Sequence, residues 1–291
     1  MPSLPPATKK ENGAVEPQPF LKWVGGKSQL IAQFDGFFPS KIERYHEPFL
    51  GGGAIFFHLK HRWPGMKASL CDNNAELINA YEVVRDHPAA LMTQLDQHLA
   101  GFLADRSAYY YAVRSRHNAA VSSSIARAAR LIFLNKTCFN GLWRVNSRGE
   151  FNVPMGAYKN PRLYDRDNLL AASRALQGVK LAVQDFRKTV VETKRGDFAY
   201  IDPPYVPLSA TASFTSYTKD NFGPVEQREL ACHVVAAAKR GVTLMLSNSD
   251  TPLVRELYRD LTIHTVRARR AINSDAAKRG SINEVLIVNR S

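Results

Sequence analysis

Cysteine is scarce in this 291-residue chain: Cys71, Cys138 and Cys232 are the only three. An odd, widely spaced set builds neither a disulfide framework nor a thiolate zinc cage, and it suits a reducing cytoplasm. Long apolar runs are missing as well. None approaches the roughly 20 residues that a bilayer-spanning helix needs, which excludes a helical membrane protein. His58 and His61 stand one helical turn apart with no third ligand evident, so no metal is expected. Residues 1–19 lack an apolar core and read as a disordered tail, not a signal peptide. Acidic residues are the most telling shortage: 26 Asp and Glu against 39 Lys and Arg, a net charge of +13. From Arg106 to Lys180 thirteen basic residues face only Glu150, Asp165 and Asp167, so this window carries ten of those charges. Positive charge concentrated in one segment points to a polyanionic partner, with a solvated basic face as the plainer alternative.

Outside that window, short β-rich runs alternate with helical patterns. Strands are predicted at 44–47, 68–71, 179–184, 198–201, 242–247, 261–266 and 284–288. Helices are predicted at 54–61, 74–84, 224–239 and 252–259, the last two opening on a proline suited to a first turn. The alternation predicts an α/β fold, a sheet flanked by helices. The basic window instead reads as helices over 104–118 and 122–135, then the loop-rich stretch NGLWRVNSRGEFNVPMGAYKNP. The expected organisation is a sheet domain formed by 20–88 and 179–291, interrupted at 89–178 by an inserted, mainly helical domain.

Several predicted strands end in a carboxylate. Asp72, Asp185 and Asp202 each follow an apolar run, and Glu47 precedes a glycine loop. Open α/β sheets bind ligands beyond the carboxyl ends of their strands, so these acids are expected to gather over one crevice. Any one of them alone would serve equally well as a helix cap.

Three motifs carry chemistry. Glu47-Pro48-Phe49-Leu50-Gly51-Gly52-Gly53 lets the backbone turn tightly and approach a ligand with no β-carbon in the way. Asp72, nineteen residues beyond Gly53, is spaced to accept hydrogen bonds from a ribose diol. The last position of a G-x-G-x-x-G fingerprint is Phe56, so NAD stays open and S-adenosylmethionine, with a ribose and no pyrophosphate, fits as well. Lys22-Trp23-Val24-Gly25-Gly26-Lys27-Ser28 ends like a phosphate loop, but Leu21 stands where that motif needs glycine and no strand precedes it. An indole face beside two ammonium groups suits an aromatic ligand edge and an anion. Asp202-Pro203-Pro204-Tyr205 is the sharpest signal. Its prolines remove backbone donors and hold the chain extended, so the turn offers a carboxylate, carbonyls and a flat ring. Acceptors beside an aromatic face describe a socket for an exocyclic amine on a planar base.

Taken together, DPPY, EPFLGGGAIFF, KWVGGKSQL, SLCDNNAELINAY, FNGLWRVNSRGEFNVPMGAYKNP and SNSDTPLVRELY resemble the Dam family of DNA adenine methyltransferases, from about Phe20 to Asn289. The resemblance implies a Rossmann-like methyltransferase sheet with an inserted recognition domain, and S-adenosyl-L-methionine as methyl donor. Trp23, Lys27, Asp72 and Asp202 would contact the cofactor, Asp185 would read its adenine amine, and Glu47, Phe49, Gly51 and Gly53 would shape its loop. Asp202 and the Pro203 carbonyl would hold the target amine, with Pro204 completing the turn and Tyr205 stacking on the flipped base. Phe139 and Asn140 would fill the gap that base leaves; Lys22, Leu142, Arg144 and Pro154 would read flanking bases; Tyr158 and Lys159 would approach the backbone. Ala157 stands where the family commonly carries an arginine that reaches a phosphate. The implied partner is double-stranded DNA, read at 5′-GATC-3′ by a monomer in a bacterial or phage-infected cytoplasm. Two rivals keep parts of this reading: an idle DNA-binding protein on the same scaffold, and an amino-methyltransferase acting on cytosine or RNA. An NAD-dependent oxidoreductase accounts for the glycines but for neither the basic insertion nor DPPY.

Overall fold

The computed structural model describes residues 15–119, 123–206, 222–269 and 281–289; residues 1–14 of the expected tail lie outside them. Seven strands, β1 (Arg44–Glu47), β2 (Lys67–Asp72), β3 (Lys180–Val183), β4 (Phe198–Ile201), β5 (Thr243–Ser249), β6 (Thr262–Arg269) and β7 (Ser281–Val288), form one sheet ordered β3-β2-β1-β4-β5-β7-β6. The pairs from β3 to β5 are parallel, and β7 lies antiparallel between β5 and β6. Strand order reverses between β1 and β4, which opens a crevice beyond their carboxyl ends.

The sheet is buried on both faces, as a parallel sheet must be. Successive side chains on a strand point to opposite faces, and the apolar core divides on that period of two. Phe198 and Tyr200 of β4, Met245 of β5 and Leu286 and Val288 of β7 enter one core; Ala199, Ile201, Leu244, Leu246, Val285 and Ile287 enter the other. The first core is covered by α1 (Ile31–Phe34), α2 (Ala54–Arg62) and α3 (Ala75–Asp86), the second by α8 (Phe186–Glu192), α9 (Pro224–Lys239) and α10 (Pro252–Leu257). Burying each Leu, Val or Phe here contributes about 1.5–3 kcal/mol.

Between β2 and β3 the chain runs through α3 and then α4 (Pro88–Ala104), α5 (Arg106–Ala119), α6 (Ser124–Thr137) and α7 (Arg166–Leu176). The sequence reading marked no helix over α4 or α7. Both have local reasons to form: Pro88 sits in the first turn of α4, which buries Leu91, Met92, Leu95 and Phe102, and the Asp165 carboxylate caps α7 by accepting from Asn168 N. The inserted helices share their core with α3 and the sheet, because Phe133, Leu131 and Phe102 belong to the same apolar cluster as Leu77, Tyr81 and Leu70. Among the described residues no helix is long and apolar enough to cross a membrane.

At the opposite end of the sheet, buried Asp197 ties β4 to β1. Its oxygens receive Arg44 Nε at 2.5 Å, His46 Nε2 at 2.9 Å and Lys194 N at 2.9 Å. Burial pushes the Asp197 carboxyl up, but the Lys194 amide, Arg44 and His46 together hold it below the ordinary value. A carboxylate whose folded-state pKa is depressed contributes stability above its unfolded pKa and loses it as pH falls through the folded one. Burial, opposed by Asp197, leaves His46 below its ordinary value, so its protonation in acid works in the same direction. Asp197→Ala is expected to cost about 1–3 kcal/mol at neutral pH and to flatten the acid limb of the stability curve, read by urea unfolding from pH 7 to pH 3.

Candidate active site

The strand ends place the four predicted acids at one pole, but in different states. Glu47, the last residue of β1, is 2% exposed and accepts from Tyr45 Oη at 2.8 Å. Burial first, and then the charges of Asp202 and Asp72, push its carboxyl well above the usual range. Asp72 ends β2 and accepts Gly51 N at 3.2 Å on one oxygen and Asn74 N at 3.0 Å on the other. A carboxylate has about four acceptor sites, more than its backbone donors fill, so Asp72 keeps capacity for a hydroxyl donor. Asp185 follows β3 and caps α8 through Arg187 N, with Arg187 Nη1 also paired to it at 2.9 Å. It is half exposed, so the cap and the ion pair leave its outer edge open to a donor.

The glycine loop is shaped by its neighbours. Gly51 and Gly53 have φ of 49° and 67°, a left-handed conformation that side chains disfavour. A β-carbon on Gly51 would lie 2.9 Å from Trp23 Cδ1, and one on Gly53 2.7 Å from Tyr81 Oη. The Tyr81 hydroxyl in turn donates to Gly51 O at 3.1 Å. The indole of Trp23 therefore lies flush against loop backbone, a placement the failed phosphate-loop pattern did not specify. Beside the loop, Phe49 stacks on Phe186 with ring centroids 5.4 Å apart, and Phe222 meets both at 5.6 Å. These rings, the Asp185 edge and Asp72 fit the adenine and ribose of a nucleoside cofactor.

Asp202 follows β4 directly across the switch point. Its Oδ2 pairs with Lys27 Nζ at 2.7 Å, while Oδ1 is buried with no hydrogen-bond partner among the described residues. Burial raises the Asp202 carboxyl above its ordinary value despite the opposing Lys27 charge. Lys27, 5% exposed, also donates to Gly25 O at 2.6 Å and lies 4.8 Å from the Tyr205 ring centroid. The turn after Asp202 is held from behind by buried amides. Gln227 Nε2 donates to Pro204 O at 2.7 Å, Asn248 Nδ2 donates to Gln227 Oε1 at 3.1 Å, and Asn248 Oδ1 accepts from Val206 N at 3.2 Å. Among the described residues none donates to the Pro203 carbonyl. The Tyr205 hydroxyl donates to Glu284 Oε2 at 2.8 Å.

The residues assigned to DNA cluster on the loop after α6 and on the segment before Trp23. Phe139 is 51% exposed, and Asn140 adopts a left-handed φ of 55°. Phe139 N donates to Pro154 O at 2.9 Å, which joins the two sides of the loop. Leu142 packs partly into the core. Arg144 Nε donates to Asn152 Oδ1 at 2.7 Å across a small hairpin closed by the Val145–Phe151 bridge, while Lys159 and Ala157 are exposed. Lys22 is tied to this loop on both sides. Its N–H donates to Asn135 Oδ1 and its carbonyl accepts from Asn135 Nδ2, while its ammonium donates to the Tyr158 hydroxyl at 3.0 Å. Lys136 sits nearby, pushed down to about 8 by burial and then by Lys22. Neither lysine has a carboxylate partner among the described residues, so an anion arriving here would relieve their repulsion.

Sequence reading missed Gln227, Asn248 and Glu284. Asn248 lies in SNSD, quoted for its resemblance without a role, and Gln227 is an unremarked polar residue of α9. Their signal was a polar side chain where the pattern calls for core. Trp143 was also missed; its indole stacks on Trp23 at 6.3 Å and 20°.

A sheet of this order with one antiparallel strand, a glycine loop after β1 and an acidic proline turn after β4 defines a Rossmann-like methyltransferase. A family model for D12 class N6 adenine-specific DNA methyltransferases matches residues 23–272. The chain belongs to that family, and its activity class is adenine-specific DNA methylation. It is 40% identical to the type II methyltransferase M1.LlaDCHI of Lactococcus lactis subsp. cremoris, covering 94% of this chain and 95% of the relative. It is 41% identical to the type II methyltransferase M.MjaIII of Methanocaldococcus jannaschii, covering 94% of this chain and all of that one. A DNA adenine methylase of Haemophilus influenzae is 33% identical over 93% of each chain.

Proposed function

We propose that the chain transfers a methyl group from S-adenosyl-L-methionine to the exocyclic amine of adenine in double-stranded DNA, at GATC, after turning the base out of the helix. The observation that carries this is the buried Asp202 Oδ1, without a hydrogen-bond partner among the described residues, in the turn that carries Tyr205 and across the switch point from the glycine loop. Phe49, Phe186, Asp185 and Asp72 would hold the cofactor's nucleoside, and Gly51, Gly53 and Trp23 would shape the rest of its site. The cofactor, when bound, supplies an electrophilic methyl on a sulfonium, so the protein's work is orientation and electrostatics.

An adenine amine is a weak nucleophile because its lone pair is delocalised into the ring. Hydrogen bonds from its two protons to Asp202 Oδ1 and the Pro203 carbonyl favour a tetrahedral nitrogen with the lone pair localised. These bonds strengthen as positive charge develops on nitrogen, so they stabilise the transition state more than the ground state. Extruding the base costs a few kcal/mol, offset by roughly 1–3 kcal/mol from stacking on Tyr205 and by Phe139 in the vacated gap. The basic insertion, residues 89–178, supplies sequence-independent affinity that falls with salt. Lys136 of the insertion, with Lys22 packed beside it, supports that reading, since both cations lack a carboxylate partner among the described residues. We place the enzyme at DNA in the cytoplasm of a bacterial or phage-infected cell, acting as a monomer.

Expression in a host lacking adenine methylation, followed by modified-base sequencing, is expected to show N6-methyladenine at nearly every GATC. Methylation confined to another motif would overturn the site assignment, and methylated cytosine or RNA alone would overturn the target.

A further inference from the structure

The antiparallel course of β7 has a geometric result at the catalytic pole. The parallel strands deliver their ends to that pole, whereas β7 delivers its beginning. Glu284 accordingly sits opposite Ser249, the last residue of β5, and Val266 of β6. Its Oε2 accepts the Tyr205 hydroxyl at 2.8 Å. Among the described residues no cation forms an ion pair with it.

Two physical facts give this carboxylate a task. The backbone of the turn is already held by Gln227 on Pro204 O and Asn248 on Val206 N, but neither touches the phenol. Among the described residues Glu284 accepts the phenol and so fixes the hydroxyl end of the Tyr205 ring, while Lys27 Nζ lies over its face 4.8 Å from the centroid. Moreover, the Glu284 charge opposes ionisation of Asp202, with Lys27 between them in sign. Like charges gathered in a partly buried pocket cost stability, and such clusters mark sites where charge is used. Two carboxylates and one ammonium leave the pocket net negative, as a site that must receive a sulfonium methyl and a nitrogen gaining positive charge requires.

We propose that Glu284 is a positioning residue for methyl transfer: it sets the angle of the Tyr205 ring against the extruded base and keeps the amine socket net negative. This rests on the function proposed above. Glu284→Gln keeps an acceptor for the phenol but removes the charge; Glu284→Ala removes both. The test is single-turnover methylation of a GATC duplex, with fluorescence of a second duplex carrying 2-aminopurine at the target position reporting base stacking without any transfer. Dissociation constants for S-adenosylhomocysteine and for the duplex complete the set.

Glu284→Ala is expected to slow transfer by about 30-fold or more, with both dissociation constants within about threefold of the parent protein's. The 2-aminopurine signal should shift toward that of an unstacked base, and Glu284→Gln should restore the signal while recovering only part of the rate. In a double-mutant cycle with Tyr205→Phe, the two losses should be strongly non-additive. A parent-like rate in Glu284→Ala, purely additive losses, or equal weakening of every constant would overturn the role of Glu284. Absence of transfer by the unmodified chain would instead overturn the functional reading beneath it.

Discussion

Asp202→Ala should abolish methyl transfer while leaving the fold and most of the DNA affinity intact. The loss is expected to be about 1,000-fold or more in single-turnover rate, the scale for removing a preorganised group aimed at developing charge. The turn does not depend on this side chain for its shape, because Gln227 holds Pro204 O and Asn248 holds Gln227 in place. Removing it leaves Lys27 buried and without its carboxylate, so some loss of stability accompanies the loss of rate. Circular dichroism and duplex binding separate the two effects; near-normal turnover would remove Asp202 from the chemistry. The pH dependence follows from the same carboxylate. Burial raises its pKa above the ordinary carboxylate value, and the protonated form loses acceptor strength toward the amine. Transfer should therefore be intact above that raised pKa and lost as pH falls through it, at a higher pH than for an exposed aspartate. Rate profiles of the parent protein between pH 5 and pH 8 test the position of that limb.

The second large effect concerns sequence choice. Arg144 is braced by Asn152, through Nε to the side chain and Nη2 to the carbonyl at 3.3 Å, and Nη1 takes no part in either bond. A braced guanidinium on a partly buried hairpin is preorganised for bidentate contact with a guanine edge, worth about 1–3 kcal/mol against the wrong base. Arg144→Ala is expected to reduce discrimination at one base pair of the site by about 10- to 100-fold. Methylation of duplexes in which each base pair is replaced in turn should locate that position. Arg144→Lys should not restore it, because an ammonium lacks the planar fork. Uniform weakening on every duplex, with a smaller salt slope, would instead make Arg144 a phosphate contact.

The resting site also shows how the N-terminal segment joins separate parts of the molecule. Lys22 is bonded to Asn135 and Tyr158 of the insertion, Trp23 lies between Trp143 and the glycine loop, and Lys27 pairs with Asp202. Within six residues, Lys22, Trp23 and Lys27 thus touch the loop after α6, the glycine loop and the Asp202 turn. As a run of letters this segment looked like a damaged phosphate loop. Its role became visible only when its neighbours were placed, because none of them lies within twenty residues of it in the chain.

Much of the architecture was written locally. Apolar runs with turns between them predicted every strand to within a few residues, and a proline in the first turn marked α9 and α10. The continuous apolar run of β4, buried at all four positions, is the pattern of a sheet covered on both sides. The family, the glycine loop and the acidic proline turn were likewise legible, since each depends on residue types at short, fixed spacing. What the chain alone could not state was long-range. The pairing of β7 with β5, the brace of Gln227 and Asn248 behind DPPY, and the carboxylate of Glu284 on the Tyr205 phenol all join residues more than twenty positions apart. Short-range propensity determines which elements form. Which buried polar atoms meet is decided by the packing of whole layers, because a donor deep in the core is satisfied only by the partner that tertiary structure brings to it.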